Sequence, residues 1–151
     1  MELFKFIHLL SALIWVGGMF FAYMVLRPAA VEVLEGPFRL SLWDAVFRRF
    51  FNWVWILIAA ILISGLYMIY LSGGMPHAAG YVHLMLVLGI AMTVIFSYVY
   101  FACYVPLSLH VANQNWKDAA EKLGKIRKLI AVNLSLGLLI VGIVAIGRAW
   151  S

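Results

Sequence analysis

The sequence predicts an all-α protein, a bundle of four transmembrane helices, and three observations indicate this class. The chain of 151 residues is 66% hydrophobic and only 11% charged, whereas a soluble domain carries about 25% charged residues. No Asp, Glu, Lys or Arg occurs from Phe50 to Trp116, which is far too long a stretch for a soluble core element. The apolar runs lack period-two alternation, so we expect them to form helices, which bond every backbone group internally in lipid.

Four segments are each long enough to cross a bilayer, which takes about 20 apolar residues. They cover roughly residues 3–26, 50–71, 80–104 and 129–149 of a chain that we predict to be one integral membrane domain, residues 1–151. Pro28, Gly73 and Pro106 follow the first three segments, as expected where helices end. The first segment lacks a clean small-residue cleavage site, so we expect it to be a helix of the mature protein rather than a signal peptide.

The basic residues predict the topology. Nine of the eleven Lys and Arg residues lie in two connections, four in residues 27–49 and five in residues 117–128. The positive-inside rule therefore predicts that both connections are cytoplasmic, with both termini outside, in the inner membrane of a bacterium. The net charge of +5 then reports topology and gives no reason to expect a nucleic-acid partner. Each cytoplasmic connection is also predicted to contain a short amphipathic helix, anchored at the surface of the lipid bilayer.

Two histidines are the main candidates for chemistry. His8 and His83 each lie about one turn inside the first and third segments. Because these segments run in the same direction, both side chains should lie at one level near the outer surface. Ionisable side chains at membrane depth usually mark a functional site.

A haem b held between two parallel helices is the leading hypothesis for this pair. In that case His8 and His83 are the axial ligands, and the protein serves electron transfer or membrane redox chemistry. Trp15, Tyr81 and Met85 are expected to bind the haem with them. Lys5, Tyr81 or Arg148 would then pair with the haem propionates.

Copper is the first alternative, because imidazole and thioether groups are copper ligands. His8 and His83 would bind the metal, joined by His77 and Met75 from the outer connection, in copper uptake or periplasmic copper handling. A second alternative is a cofactor-free assembly partner whose histidines only form hydrogen bonds. His110 follows the third segment on the cytoplasmic side, and we expect it to be solvated.

Other chemistry has little support in the sequence. The single Cys103 excludes an intramolecular disulfide and Cys-rich metal sites. All six acidic residues lie outside the four segments, which argues against a carboxylate proton relay. Whether the protein is an enzyme stays open, and an oxidoreductase is the class to expect if it is one. A membrane or periplasmic redox partner and a homodimer are open alternatives as well.

The histidine segments carry a pattern that resembles a known family, the CopD (copper resistance D) family. The third segment opens with Tyr81-x-His83. The first segment contains His8-x2-Ser11-x3-Trp15-x-Gly17-Gly18. The resemblance extends over nearly all of the chain and implies copper transport.

The related HemJ group, implicated in oxidising protoporphyrinogen IX, has a similar first helix. It also has a His that opens a later helix, typically followed two positions on by Lys. This chain has Met85 at that position, which argues against protoporphyrinogen oxidation and leaves haem binding open.

Overall fold

Four long helices make up the protein. The computed structural model describes residues 1–149, with side chains described for residues 1–147. The helices are α1 (Glu2–Val33), α2 (Gly36–Leu71), α3 (Gly80–Ala112) and α4 (Trp116–Ala149). Each is long and apolar enough to cross a membrane. The predicted all-α, four-helix transmembrane class is therefore confirmed, and the chain is a multi-pass membrane protein.

Two helices continue through the prolines at which their segments were predicted to end. Helix α1 passes Pro28 and α3 passes Pro106, and in each helix a π-helical turn precedes the proline, at Ala22–Leu26 and Val99–Tyr104. Proline lacks an N–H and its ring collides with the carbonyl four residues earlier, and a widened turn relieves both problems. The helices therefore extend past residues 26 and 104, where the predicted membrane segments end.

The two short amphipathic helices predicted in the basic connections do not exist as separate elements. Their residues are the first turns of α2 and α4, so the connections shrink to residues 34–35 and 113–115. The reason for α2 is that no Gly or Pro occurs from Phe38 to Ser64. A helix of 36 residues is about 54 Å long, so its charged first turns extend beyond a hydrocarbon layer of about 30 Å.

The helices form an antiparallel bundle. Helix α1 packs mainly on α2, and α3 mainly on α4, while α4 also contacts α1 and α2. This arrangement places α1 and α3 diagonally opposite each other. We call the end that carries residues 34–35 and 113–115 the basic end. The other end, which carries His8, His77 and His83, is the histidine end.

The core is concentrated toward the basic end. Rings on α2 and α3 form its centre, where Phe51 meets Phe96 and Tyr104 edge-on at centroid distances of 5.2 and 5.3 Å. Among the described residues, Ser11 is the only buried side chain before Trp15 on α1, Ser64 is the only one after Ile58 on α2, and α3 has none before Met92. The histidine end is therefore the loosely packed half of the bundle.

Replacing Gly137 with alanine should destabilise the bundle. Helix α4 approaches α1 and α3 closely there, because a Cβ on Gly137 would lie 2.8 Å from Val16 Cγ2 and 3.3 Å from Met92 Cε. We expect the free energy of unfolding in detergent to fall by about 1–3 kcal/mol. The control is Gly142→Ala on the same helix, where a Cβ has nothing within 4 Å. Equal losses in the two variants would contradict the close approach.

Candidate functional site

His8 lies half-buried between α1 and α2, with one ring nitrogen fixed. Its Nδ1–H donates to the Ile61 carbonyl and to Ser64 Oγ, at 3.1 Å in each case. A carbonyl can only accept, so the hydrogen is on Nδ1 and Nε2 keeps a free lone pair. Metal-binding histidines are commonly oriented in this way, by a carbonyl on the nitrogen that does not bind the metal.

The small pair Ser64–Gly65 makes room for this ring. A Cβ on Gly65 would lie 3.1 Å from His8 Cε1, so any larger residue crowds the imidazole. The Ser64 hydroxyl in turn donates to the Ala60 carbonyl of its own helix. Ser64 and Gly65 are not among the site residues that the sequence predicts, so their role in holding His8 was missed. A small-residue pair at the depth of a histidine is the signal that could have found it.

His83 lies in the first turn of α3 and is exposed. Its Nδ1–H donates to the Ala79 carbonyl at 3.2 Å, which again leaves Nε2 free. The helix face that it shares with Val87, Ile90 and Val94 is exposed along its length. Within one copy, His83 therefore faces away from the bundle while His8 faces into it, and shared ligation stays a prediction.

The two histidines nevertheless lie at nearly the same depth. Val16 on α1 and Met92 on α3 both lie against Gly137, which puts them at a common level. His8 is eight residues and His83 nine residues from that level toward the histidine end. At about 1.5 Å per residue, the two backbone positions differ by only about 2 Å along the bundle.

The connection between α2 and α3 adds two further candidate ligands at the same end. Met75 and His77 lie in a 3-10 turn, Met75–His77. His77 is exposed and its Nδ1–H donates to the Gly73 carbonyl at 2.9 Å, whereas Met75 is half-buried. Within the described part of the chain, no three His, Cys, Asp or Glu side chains are grouped to hold a metal. The described residues of one copy therefore do not assemble a site of three such ligands.

The residues predicted to bind haem beside the histidines lie in different surroundings. Trp15 is buried in the core, edge-on to Phe96 at 6.3 Å. Tyr81 packs on α4, where its ring would meet a Cβ on Gly147 at 2.8 Å. Met85 is half-buried on α3.

Charged side chains near the histidine end were predicted to pair with the propionates. Lys5 forms an ion pair with Glu2 at 2.8 Å. The side chain of Arg148 lies outside the described residues.

His110 does not belong to this group. It is half-buried in the last turns of α3, at the basic end. The length of the helix separates it from His83. Its side chain therefore cannot join a site formed by the other three histidines.

A comparison with protein families identifies the chain. The family model described as Copper resistance protein D, CopD, matches residues 44–146, which is more than half of the chain. The match covers most of α2, the connection that contains His77, all of α3 with His83, and most of α4, whereas His8 precedes it. No curated protein and no solved structure matches the chain. The protein therefore belongs to the CopD family.

Proposed function

We propose that this protein handles copper at the histidine end of its bundle, in copper uptake or periplasmic copper handling. The observation that carries the proposal is the environment of His8. This imidazole is held in a membrane bundle by the Ile61 carbonyl and Ser64, and its Nε2 is left free for a metal. Membership in a family described by copper resistance favours copper over iron as that metal.

In this proposal His8 is the anchoring ligand and the outer connection supplies further donors. Met75 and His77 lie at the same end as His8. His83, whose Nε2 is also free, can contribute from α3. Imidazole together with thioether is a donor set that suits Cu(I). The loosely packed histidine end gives these groups room to close around the ion.

The charge distribution supports a periplasmic orientation for this end. Nine of eleven basic residues lie in residues 27–49 and 117–128, toward the opposite end. The positive-inside rule then orients the basic end to the cytoplasm and the histidines to the periplasm, in a bacterial inner membrane. Copper would reach His8 from the periplasmic side.

Haem b is the second candidate, favoured by the common depth of His8 and His83 on parallel helices. Two axial histidines would fill the iron coordination and suit electron transfer. Because His83 faces away from the bundle, this arrangement requires α3 to rotate or a second copy to supply the other ligand. Copper can be anchored at His8 with donors from the outer connection and without His83, so we place it first.

One set of measurements on detergent-purified protein separates the alternatives. We expect elemental analysis to find stoichiometric copper after Cu(I) loading and removal of free metal. A Soret band with sharp α and β bands on reduction, in a protein without copper, would contradict this and support haem b. A colourless protein that retains no metal after loading would contradict both cofactors and leave the assembly-partner alternative.

A further inference from the structure

The opposite, basic end contains a cavity lined by arginine side chains. This cavity of about 390 Å³ opens between the last turns of α1 and the first turns of α2 and α4. Three arginines from these three helices line it: Arg27, Arg39 and Arg127. The copper proposal does not involve this cavity.

The three guanidinium groups lack carboxylate partners. The ion pairs of the described residues involve Lys5, Arg48 and Lys125 instead. Arg27 lies over the ring of Tyr23, with Cζ 5.1 Å from the centroid, and this contact stabilises its charge without neutralising it. Three cations around one cavity, without acids among the described partners, favour an anionic ligand. Guanidinium forks match phosphate oxygens particularly well.

A helix start adds to the positive potential. Gly36 and Pro37, the first residues of α2, line the cavity. No side chain caps this end of the helix. Pro37 has no N–H, so the Gly36 N–H and the helix dipole favour an anion at this position.

The rest of the cavity is apolar. Its wall consists of side chains such as Leu40, Trp43, Phe47, Ile126 and Ile130. A free phosphate ion would leave this wall without a partner, whereas an acyl chain would cover it. The ligand that fits both parts has an anionic phosphate head and an apolar tail.

We propose that this cavity binds the phosphate group of an anionic phospholipid. The headgroup lies against the three arginines and the start of α2, and an acyl chain runs along the apolar wall. A lipid bound in this way bridges α1, α2 and α4 at the end where the core is tightest. The membrane itself supplies the ligand.

The test compares two triple variants of the full chain in neutral detergent. Arg27→Gln/Arg39→Gln/Arg127→Gln removes the three cavity cations. The matched control is Arg49→Gln/Lys117→Gln/Lys128→Gln, which removes equal charge from residues that do not line the cavity. Native mass spectrometry would follow titrations with phosphatidylglycerol and phosphatidylcholine. One basic side chain near an anionic headgroup changes affinity about fivefold, so the cavity variant should bind phosphatidylglycerol at least about tenfold more weakly.

The affinity of the control variant for phosphatidylglycerol should stay within about threefold of that of the unmodified protein. Equal losses in both triple variants, equal binding of phosphatidylcholine, or no retained phosphatidylglycerol would each overturn the proposal. Displacement of the lipid by millimolar inorganic phosphate would assign the site to a soluble anion and overturn the lipid assignment. If the cavity variant does not fold, Arg127→Gln replaces it, since Arg127 is exposed, with an expected loss of about fivefold.

Discussion

Replacing Phe96 with alanine is expected to lower the free energy of unfolding by about 2–4 kcal/mol. Phe96 is 4% exposed on α3. Its ring lies edge-on to Trp15 of α1 at 6.3 Å, and to Phe51 and Trp55 of α2 at 5.2 and 5.0 Å. It therefore connects three of the four helices at the level where the tightly packed half begins.

The cost arises from lost packing, because lipid tails are as apolar as the core and transfer to lipid contributes little. Alanine leaves a void beside an existing apolar cavity of about 270 Å³, which Phe96 also lines, and it removes three ring contacts between helices. The control is Phe101→Ala on the same helix, which is 64% exposed and should cost less than about 1 kcal/mol. Unfolding in mixed micelles of mild and denaturing detergent measures the free energy of unfolding of both variants. Similar losses would contradict a core centred on Phe96.

The number and type of helices could be predicted from sequence, because long uncharged runs have only one stable form in lipid. Their ends could not. Pro28 and Pro106 normally terminate helices, and only the π-helical turns before them, which packing supports, allow α1 and α3 to continue. The lengths of α2 and α4 follow from charged residues that the helices can carry beyond the bilayer.

The depth of the two histidines could be predicted as well, but the direction in which each points could not. A helix that is apolar all round gives no amphipathic signal, since the face toward lipid and the face toward the core have the same composition. The sequence pattern therefore cannot show that His8 faces the bundle core whereas His83 faces away from it. The convergence of Arg27, Arg39 and Arg127 on one cavity likewise depends on how three helices pack.

Replacing His8 with alanine is expected to abolish copper binding while leaving the fold intact. Loss of a hydrogen-bond partner of a metal ligand lowers metal affinity about 10–100-fold. Removing the anchoring ligand itself should lower the affinity for Cu(I) by more than this. The Ser64 hydroxyl keeps its hydrogen bond to the Ala60 carbonyl, so the substitution leaves its buried hydroxyl with a hydrogen-bond partner. The free energy of unfolding should therefore change by less than about 1 kcal/mol. Competition with a Cu(I) chelator measures the affinity. His110→Ala, at the basic end, is the control and should bind as the unmodified protein does.

The position of the imidazole can be tested without removing it. Gly65→Val would place atoms against His8 Cε1, because even a Cβ there lies 3.1 Å away. Displacing the ring from the Ile61 carbonyl and Ser64 should lower the affinity for Cu(I) about 10–100-fold. Gly89→Val, where a Cβ has nothing within 4 Å, should leave the affinity unchanged. If Gly65→Val retains Cu(I) binding and His83→Ala loses it, the anchoring ligand is His83 and not His8. A metal held by His83 would not be affected by a larger residue at position 65.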